Sequence, residues 1–265
     1  MRDDRSVQDL IDCFYESPYP SLKVTNYFRI YADLFAHLRN TPCTFIETGV
    51  LNGGSLFMWR RWLGDQARII GVDLNPEAKK WEEFGFEIVI GDQGDPDFWR
   101  NFHAQVGQFD VLLDDGGHQS FQQIVTLTEA IHAAKKQCLV VIEDTQTSFF
   151  KEFSGHGKHS FLEYAKASTD TLIGKGSDLF PEEMPEIVNS AVEALYAAAY
   201  SVRFYSGIVA YEIDPIAAEQ PTLVWNRAPE ASGAADFRYE GRSDALVEWP
   251  TLFERQWLRI RGGQR

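Results

Sequence analysis

Two carboxylates, two glycines and an imidazole close an apolar run in Leu113-Asp114-Asp115-Gly116-Gly117-His118. One Asp and one Gly would be enough to turn a corner. A second acidic pair, Glu143-Asp144, closes the apolar run that begins at Cys138. If the two runs are neighbouring strands, Asp115, Glu143 and Asp144 meet in one crevice. Three hard oxygen ligands with no thiolate suit magnesium or another hard divalent cation, and do not suit a zinc–thiolate site. Without a cation, carboxylates so close would repel and raise one another's pKa values. The plainer alternative makes Asp115 and Asp144 helix caps and His118 a surface histidine at a helix start.

The elements that must position these groups follow from the rhythm of the chain. Apolar runs at residues 45–50, 68–73, 86–90, 109–114 and 138–143 alternate with helical or loop segments. The runs are continuous, as expected for strands buried on both faces of a parallel sheet, so the spacing predicts a doubly wound α/β fold. In such sheets ligands bind beyond the carboxyl ends of the strands. The first strand leads into Glu47-Thr48-Gly49-Val50-Leu51-Asn52-Gly53-Gly54-Ser55, whose glycines let backbone approach a ligand at a helix start. The Gly-x-x-x-Gly-Gly spacing departs from the dinucleotide fingerprint. An acid two residues ahead of the first glycine instead fits an S-adenosylmethionine (SAM) site, near the methionyl part. Asp73 ends the second strand, where a carboxylate accepts from ribose hydroxyls of NAD or SAM alike. Gly91-Asp92-Gln93-Gly94-Asp95 places another acid where an adenine amino group would lie, although Asp and Gly are also ordinary turn formers.

The far end of the series differs from a nicotinamide-binding sheet. Ile187, Val188, Ala191, Val192, Leu195, Tyr196 and Ala199 have helical spacing. Residues 201–205 and 208–213 then flank Ser206-Gly207 as a hairpin, which makes the last strand antiparallel. A seven-stranded, mostly parallel sheet with that reversal is the arrangement of SAM methyltransferases. Ahead of the sheet, Val7, Leu10, Ile11 and Phe14 mark one helix, and Tyr27, Tyr31, Leu34, Phe35 and Leu38 share a face of a second from Asn26.

The chain therefore divides into an N-terminal helical segment (1–40), a core (41–215) with a lid-like insertion (145–185), and a C-terminal extension (216–265). The extension carries Trp225, Trp249 and Trp257 and is expected to make a contact in a homo-oligomer. His103 and His132 fit solvated helix faces, and His156 and His159 fit polar loop positions.

A chain of 265 residues with 44% hydrophobic and 14% aromatic residues can bury a substantial core. Its net charge of -14 argues against nucleic acid and anionic membrane surfaces as partners. Three cysteines, Cys13, Cys43 and Cys138, form no disulfide framework or metal pair, and Cys43 and Cys138 lie in apolar surroundings. With no signal-like start and no run of membrane-span length, the expected location is soluble and cytoplasmic.

As an ordered set, Phe-Ile-Glu-Thr-Gly-Val-Leu-Asn-Gly-Gly-Ser, Ile-Gly-Val-Asp, Gly-Asp-Gln, Asp-Asp-Gly-Gly-His, Ile-Glu-Asp-Thr and Val-Arg-Phe-Tyr-Ser-Gly-Ile-Val resemble one group. It is the metal-dependent class I SAM methyltransferases that O-methylate sugars of macrolides and related antibiotics, the macrocin and mycinamicin O-methyltransferases, with the cephalosporin-hydroxylase-like proteins. The resemblance spans roughly residues 20–215. It implies a Rossmann-like core, Asp115, Glu143 and Asp144 as magnesium ligands, and His118 as general base beside Asp115. It implies that Lys23, Thr25 and Tyr27 border the SAM pocket. Glu47, Thr48, Gly49, Gly53, Ser55, Asp73, Asp92, Gln93 and Asp114 are expected to complete that pocket. The implied substrate is a small-molecule glycoside or nucleotide sugar. Gly117 departs from the group's pattern, which has serine before the histidine. The rival readings are a SAM methyltransferase of a catechol or amine, an NAD-dependent oxidoreductase, a hydrolase or hydroxylase using the metal alone, and a non-catalytic scaffold.

Overall fold

The computed structural model describes residues 4–154, 160–173 and 193–218. His156, His159, the tryptophans of the C-terminal extension and the start of the helix expected from residue 187 lie outside these residues. Seven strands form one sheet: β1 Cys43–Thr48, β2 Ala67–Asp73, β3 Glu87–Ile90, β4 Val111–Asp114, β5 Cys138–Ile142, β6 Ala199–Phe204 and β7 Val209–Ile213. Their spatial order is β3-β2-β1-β4-β5-β7-β6. The first five are mutually parallel, and β7 runs antiparallel to both β5 and β6. The expected doubly wound sheet with its reversed last strand is the observed one. β4 and β5 are neighbours, with Asp114 opposite Ile142, so the two acidic strand ends lie side by side.

The continuity of the apolar runs has its reason in the two layers that cover the sheet. Phe45, Val111, Leu113 and Val141 face a core shared with α1 (Asp4–Tyr15), α2 (Tyr27–Phe35) and α3 (Gly54–Leu63). Their alternates Ile46, Leu112, Val140 and Ile142 face a second core with α4 (Pro96–Val106), α5 (Ser120–Ala133) and α7 (Phe161–Ile173). A pleated strand sends successive side chains to opposite faces, so both sets must be apolar. On α2 the expected face is buried through Tyr27, Tyr31, Leu34 and Phe35, while Leu38 falls in a following 3-10 turn and is half-buried. A short α6 (Lys151–Ser154) lies between β5 and α7. Among the described residues no helix is long and apolar enough to cross a membrane. All three cysteines are free and buried, Cys43 and Cys138 as their apolar surroundings suggested.

His103 corrects one expectation. The last turn of α4 does not present it to solvent; its ring lies between Trp99 and Phe109, at centroid distances of 5.6 and 5.4 Å, and both ring nitrogens lack a partner. The alternation of polar and apolar residues on α4 hid this, because imidazole stacks as an aromatic while scoring as polar. Burial disfavours the charged ring and lowers its pKa from 6.5 to about 4. Between those values the unfolded chain binds the extra proton, so stability is lost as pH falls from 6.5 towards 4. The total is about 3 kcal/mol at 1.36 kcal/mol per pKa unit. Urea unfolding of wild type and His103→Leu at pH 7.5 and pH 4.5 should show the variant losing less stability on acidification. Equal losses would refute the assignment.

Candidate functional site

A cavity of about 790 Å³ opens at the carboxyl ends of β1 to β4, within the size range of cofactor pockets. Its walls include Thr48, Gly49, Asn52 and Ser55 after β1, Asp73 after β2, and Asp92 and Gln93 after β3. At one end it reaches Asp115, Gly116, Gly117 and His118 after β4 and Asp144 after β5. Polar residues from all five strand ends thus border one space, although Glu47, Asp114 and Glu143 are not among them.

Close packing of the strand-end loops builds that space. Asp115 donates its N–H to Thr48 O at 3.0 Å, which draws the β4 loop onto the end of β1. Gly49 sits at φ 89°, and a Cβ there would lie 2.1 Å from the Asp115 carbonyl oxygen. Only glycine fits, for backbone conformation and for space. Asp73 receives the N–H groups of Val50 and Leu51 on one oxygen, at 2.8 and 3.1 Å, and that of Asn75 on the other. The carboxylate therefore shapes the β1 loop as well as lining the cavity. Exposed Asp92 accepts from Gly94 N at 2.7 Å. Thr48 Oγ1 is buried at the wall without a partner.

Glu47 and Asp114 are fully buried and lie behind the cavity wall. Glu47 accepts from Ser55 Oγ at 2.7 Å and Trp59 Nε1 at 3.1 Å. Asp114 accepts from Gln93 Nε2 at 2.9 and 3.1 Å and from Gly116 N at 3.2 Å. Burial pushes both carboxyls above their usual pKa, against the pull of these donors and, for Glu47, of Lys23. Gln93 also receives the Gly117 N–H on Oε1 at 2.7 Å, so one amide fixes both the buried acid and the loop that carries His118. Gly117 is accordingly held. A Cβ there would lie 2.4 Å from Gln122 Oε1, which caps the start of α5 by accepting from Gln119 N. A serine in place of Gly117 would require the Gln122 side chain to shift.

The cap also disposes of the plainer reading of the acids. Gln119, not Asp115, stands at the N-cap of α5, and Asp144 makes no side-chain cap bond to the 3-10 turn that follows it. Asp144 and His118 both hold positive φ, 52° and 56°, a conformation that costs a non-glycine residue about 1–3 kcal/mol. That strain aims the two side chains at each other: His118 Nε2 lies 3.5 Å from Asp144 Oδ2 and 4.0 Å from Asp115 Oδ1. Ligand atoms of Asp115, His118 and Asp144 all fall within 4.8 Å of one another. Tyr27 donates its hydroxyl to Asp144 Oδ1 at 2.7 Å, Gln146 Nε2 donates to the same oxygen at 2.9 Å, and Thr147 Oγ1 donates to His118 O at 3.2 Å.

Glu143 turns the other way. Its buried carboxylate receives the Tyr31 hydroxyl at 2.5 Å and lies 3.4 Å from Lys23 Nζ. Lys23 Nζ is 2.5 Å from Asp115 Oδ2 and 3.6 Å from Glu47 Oε1, and its side chain is 1% exposed. Burial alone would lower the lysine pKa; Glu143, Asp115 and Glu47 outweigh it and hold the ammonium above its usual value. Burial raises the Glu143 carboxyl well above its ordinary pKa, with Lys23 and Tyr31 opposing. Thr25 is exposed on the loop before α2. Tyr31 and Trp59 were missed as site residues, because both read as core aromatics; their buried O–H and N–H groups, which need acceptors, were the available signal.

Gly49→Ala is expected to cost more than about 3 kcal/mol, since backbone must move to admit the methyl. A thermal melt within a degree of wild type would contradict the packing of the two loops.

No family profile matches the chain. A tetracenomycin-C rhamnosyl 2'-O-methyltransferase of Streptomyces olivaceus is 30% identical over 139 residues, covering 50% of this chain and 36% of that protein. Demethylmacrocin O-methyltransferase of Streptomyces fradiae is 30% identical over 128 residues, 46% of this chain and 32% of the relative. Mycinamicin VI 2''-O-methyltransferase of Micromonospora griseorubida is 28% identical over a stretch of the same coverage. The chain spans about a third of the length of these curated relatives. Among solved structures, the MycE methyltransferase of mycinamycin biosynthesis, in complex with Mg and SAH, superposes with TM-score 0.66 at 20% identity. That match covers 92% of this chain and 60% of the other. A MycE complex that also holds mycinamycin VI gives 0.63 at 20% identity, over 79% and 53%. The chain has the fold of a class I SAM methyltransferase, and its core is similar in sequence to sugar O-methyltransferases of glycosylated antibiotics.

Proposed function

We propose that the protein is a SAM-dependent, divalent-cation-dependent O-methyltransferase acting on a sugar hydroxyl of a glycosylated natural product or nucleotide sugar. One observation carries the reading: the cavity walled by Thr48, Asp73 and Asp92 runs without a break to Asp115, His118 and Asp144. A cofactor pocket and a group able to activate a hydroxyl therefore share one space. The relatives are O-methyltransferases by their names, and the name of one places the transfer on a rhamnosyl group.

The residues fit the groups assigned to them. Asp92 faces the cavity where an exocyclic amine would be received, and Asp73 has the acceptor capacity for ribose hydroxyls. The buried, unpartnered Thr48 hydroxyl is a donor in want of an acceptor. Carboxylates of Asp115 and Asp144, with Glu143 behind them, form the hard-oxygen set that magnesium takes. When bound, SAM supplies an electrophilic sulfonium methyl, and a hard cation supplies the positive charge that acidifies a hydroxyl.

The chain's own residues do the rest. Asp115 and Asp144 hold the acceptor end of the crevice in register with β4 and β5, and Tyr27 and Gln146 fix Asp144 from behind. His118 Nε2 takes the hydroxyl proton while the oxygen–carbon bond forms and the sulfur–carbon bond breaks, its electron pair staying on sulfur. The imidazolium so formed faces two carboxylates. Gln93 keeps the His118 loop still through Gly117, which preserves the in-line geometry that methyl transfer needs.

The test is methyl transfer to rhamnosylated or macrolide glycosides with and without chelator. Activity should vanish with EDTA and return with Mg²⁺. His118→Ala should lower kcat by about 10²–10⁴-fold with SAM affinity intact. Full turnover in EDTA would remove the cation from the scheme, and stabilisation by NAD in place of SAM would remove the reaction class.

A further inference from the structure

Lys23 belongs to no strand or helix, yet its ammonium is the most deeply placed cation of the site, at the ends of β1, β4 and β5 together. It is 2.5 Å from Asp115 Oδ2, 3.4 Å from both oxygens of Glu143 and 3.6 Å from Glu47 Oε1. Two aromatic side chains close the cage. The Tyr31 ring lies 5.7 Å from the ammonium while its hydroxyl binds Glu143, and Trp59 packs edge-on to Tyr31 at 5.1 Å while its N–H binds Glu47. Every carboxylate of the cage is thus held by Lys23 and by a second donor or group: Glu47 by Ser55 and Trp59, Glu143 by Tyr31, and Asp115 by its place opposite His118.

Resting on the cation-dependent reading above, we propose that Lys23 is the chain's own counter-cation. Its ion pair with Asp115, held in place by Glu143 and Glu47, competes with a divalent ion for that carboxylate and so sets how tightly the site takes one. Asp115 is the hinge of the argument. It is the one residue shared by the ammonium cage and by the Asp115–His118–Asp144 group. A divalent ion drawing on Asp115 must loosen the ammonium from that carboxylate. Two cations competing for one carboxylate weaken each other, and do so strongly where water is excluded. Without Lys23, three buried or half-buried carboxylates would face one another with no cation at all, which a divalent ion would then relieve more effectively than in wild type. Lys23 therefore acts as a positioning residue: it keeps Asp115 in place and makes cation binding an exchange.

Mn²⁺ binding measured by electron paramagnetic resonance, without SAM or acceptor, tests this directly. Lys23→Met should bind Mn²⁺ at least about tenfold more tightly than wild type, and Lys23→Arg should stay within about threefold of it. In ¹⁵N-lysine-labelled wild type, the slowly exchanging Nζ resonance of Lys23 should shift when Mg²⁺ is titrated in. That second measurement decides the matter if Lys23→Met does not fold. Equal or weaker Mn²⁺ binding by Lys23→Met, or an Nζ resonance unmoved at saturating Mg²⁺, would overturn the exchange while leaving the cation site standing. Absence of Mn²⁺ binding in wild type and variants alike would overturn the cation-dependent reading, and the exchange with it.

Discussion

Negative charge buried at the ends of three adjacent strands is the constraint on which this structure depends. Glu47, Asp114 and Glu143, at the carboxyl ends of β1, β4 and β5, are all essentially inaccessible to water. Removing an ionised carboxylate from water without compensation is prohibitive, so each must be met by donors. Ser55 and Trp59 meet Glu47, Gln93 and a backbone N–H meet Asp114, and Tyr31 meets Glu143. Those donors come from α2, α3 and the loops after β3 and β4, so the helical layer on one face is anchored to the strand ends through buried polar bonds. The cavity in front of these groups thus has its walls held by hydrogen bonds of the fold itself.

The arrangement also separates two kinds of acid that look identical in the chain. Asp114 and Asp115 are neighbours, yet the pleat turns one inward to Gln93 and the other outward to the crevice. Glu143 and Asp144 repeat the division on β5, one toward Tyr31 and Lys23, the other toward His118 and Tyr27. In each doublet the inner acid builds the scaffold and the outer one, released from the strand, faces the cavity. This alternation accounts for the paired carboxylates at the ends of β4 and β5.

Much of the fold was legible because burial on both faces leaves continuous apolar runs, and the Ser206-Gly207 hairpin marks the reversed strand. The residues after the strands were legible as a ring of polar groups for the same topological reason. What could not be read was direction. Gln93 counts as a cavity residue by position, but its amide spends its hydrogen bonds on Asp114 and Gly117. His103 scored as polar and proved to be part of an aromatic stack. Gln119 and Gln122 cap α5, where the plainer alternative had Asp115, because glutamine is a weaker signal than aspartate. The cage around Lys23 joins residues more than a hundred positions apart, and no local spacing encodes it.

The closure at Thr145 couples two distant parts of the sheet. Its N–H donates to Gly207 O at 3.1 Å, and Tyr27 and Asn26 bind the same turn through Gly207 O and Ser206 O. The Tyr27 hydroxyl also reaches Asp144, so the outer acid of β5 and the turn of the reversed hairpin are tied to one side chain. The hairpin that closes the far edge of the sheet is therefore also a support for Asp144, and a change in that turn would be felt at the crevice without altering any of its acids.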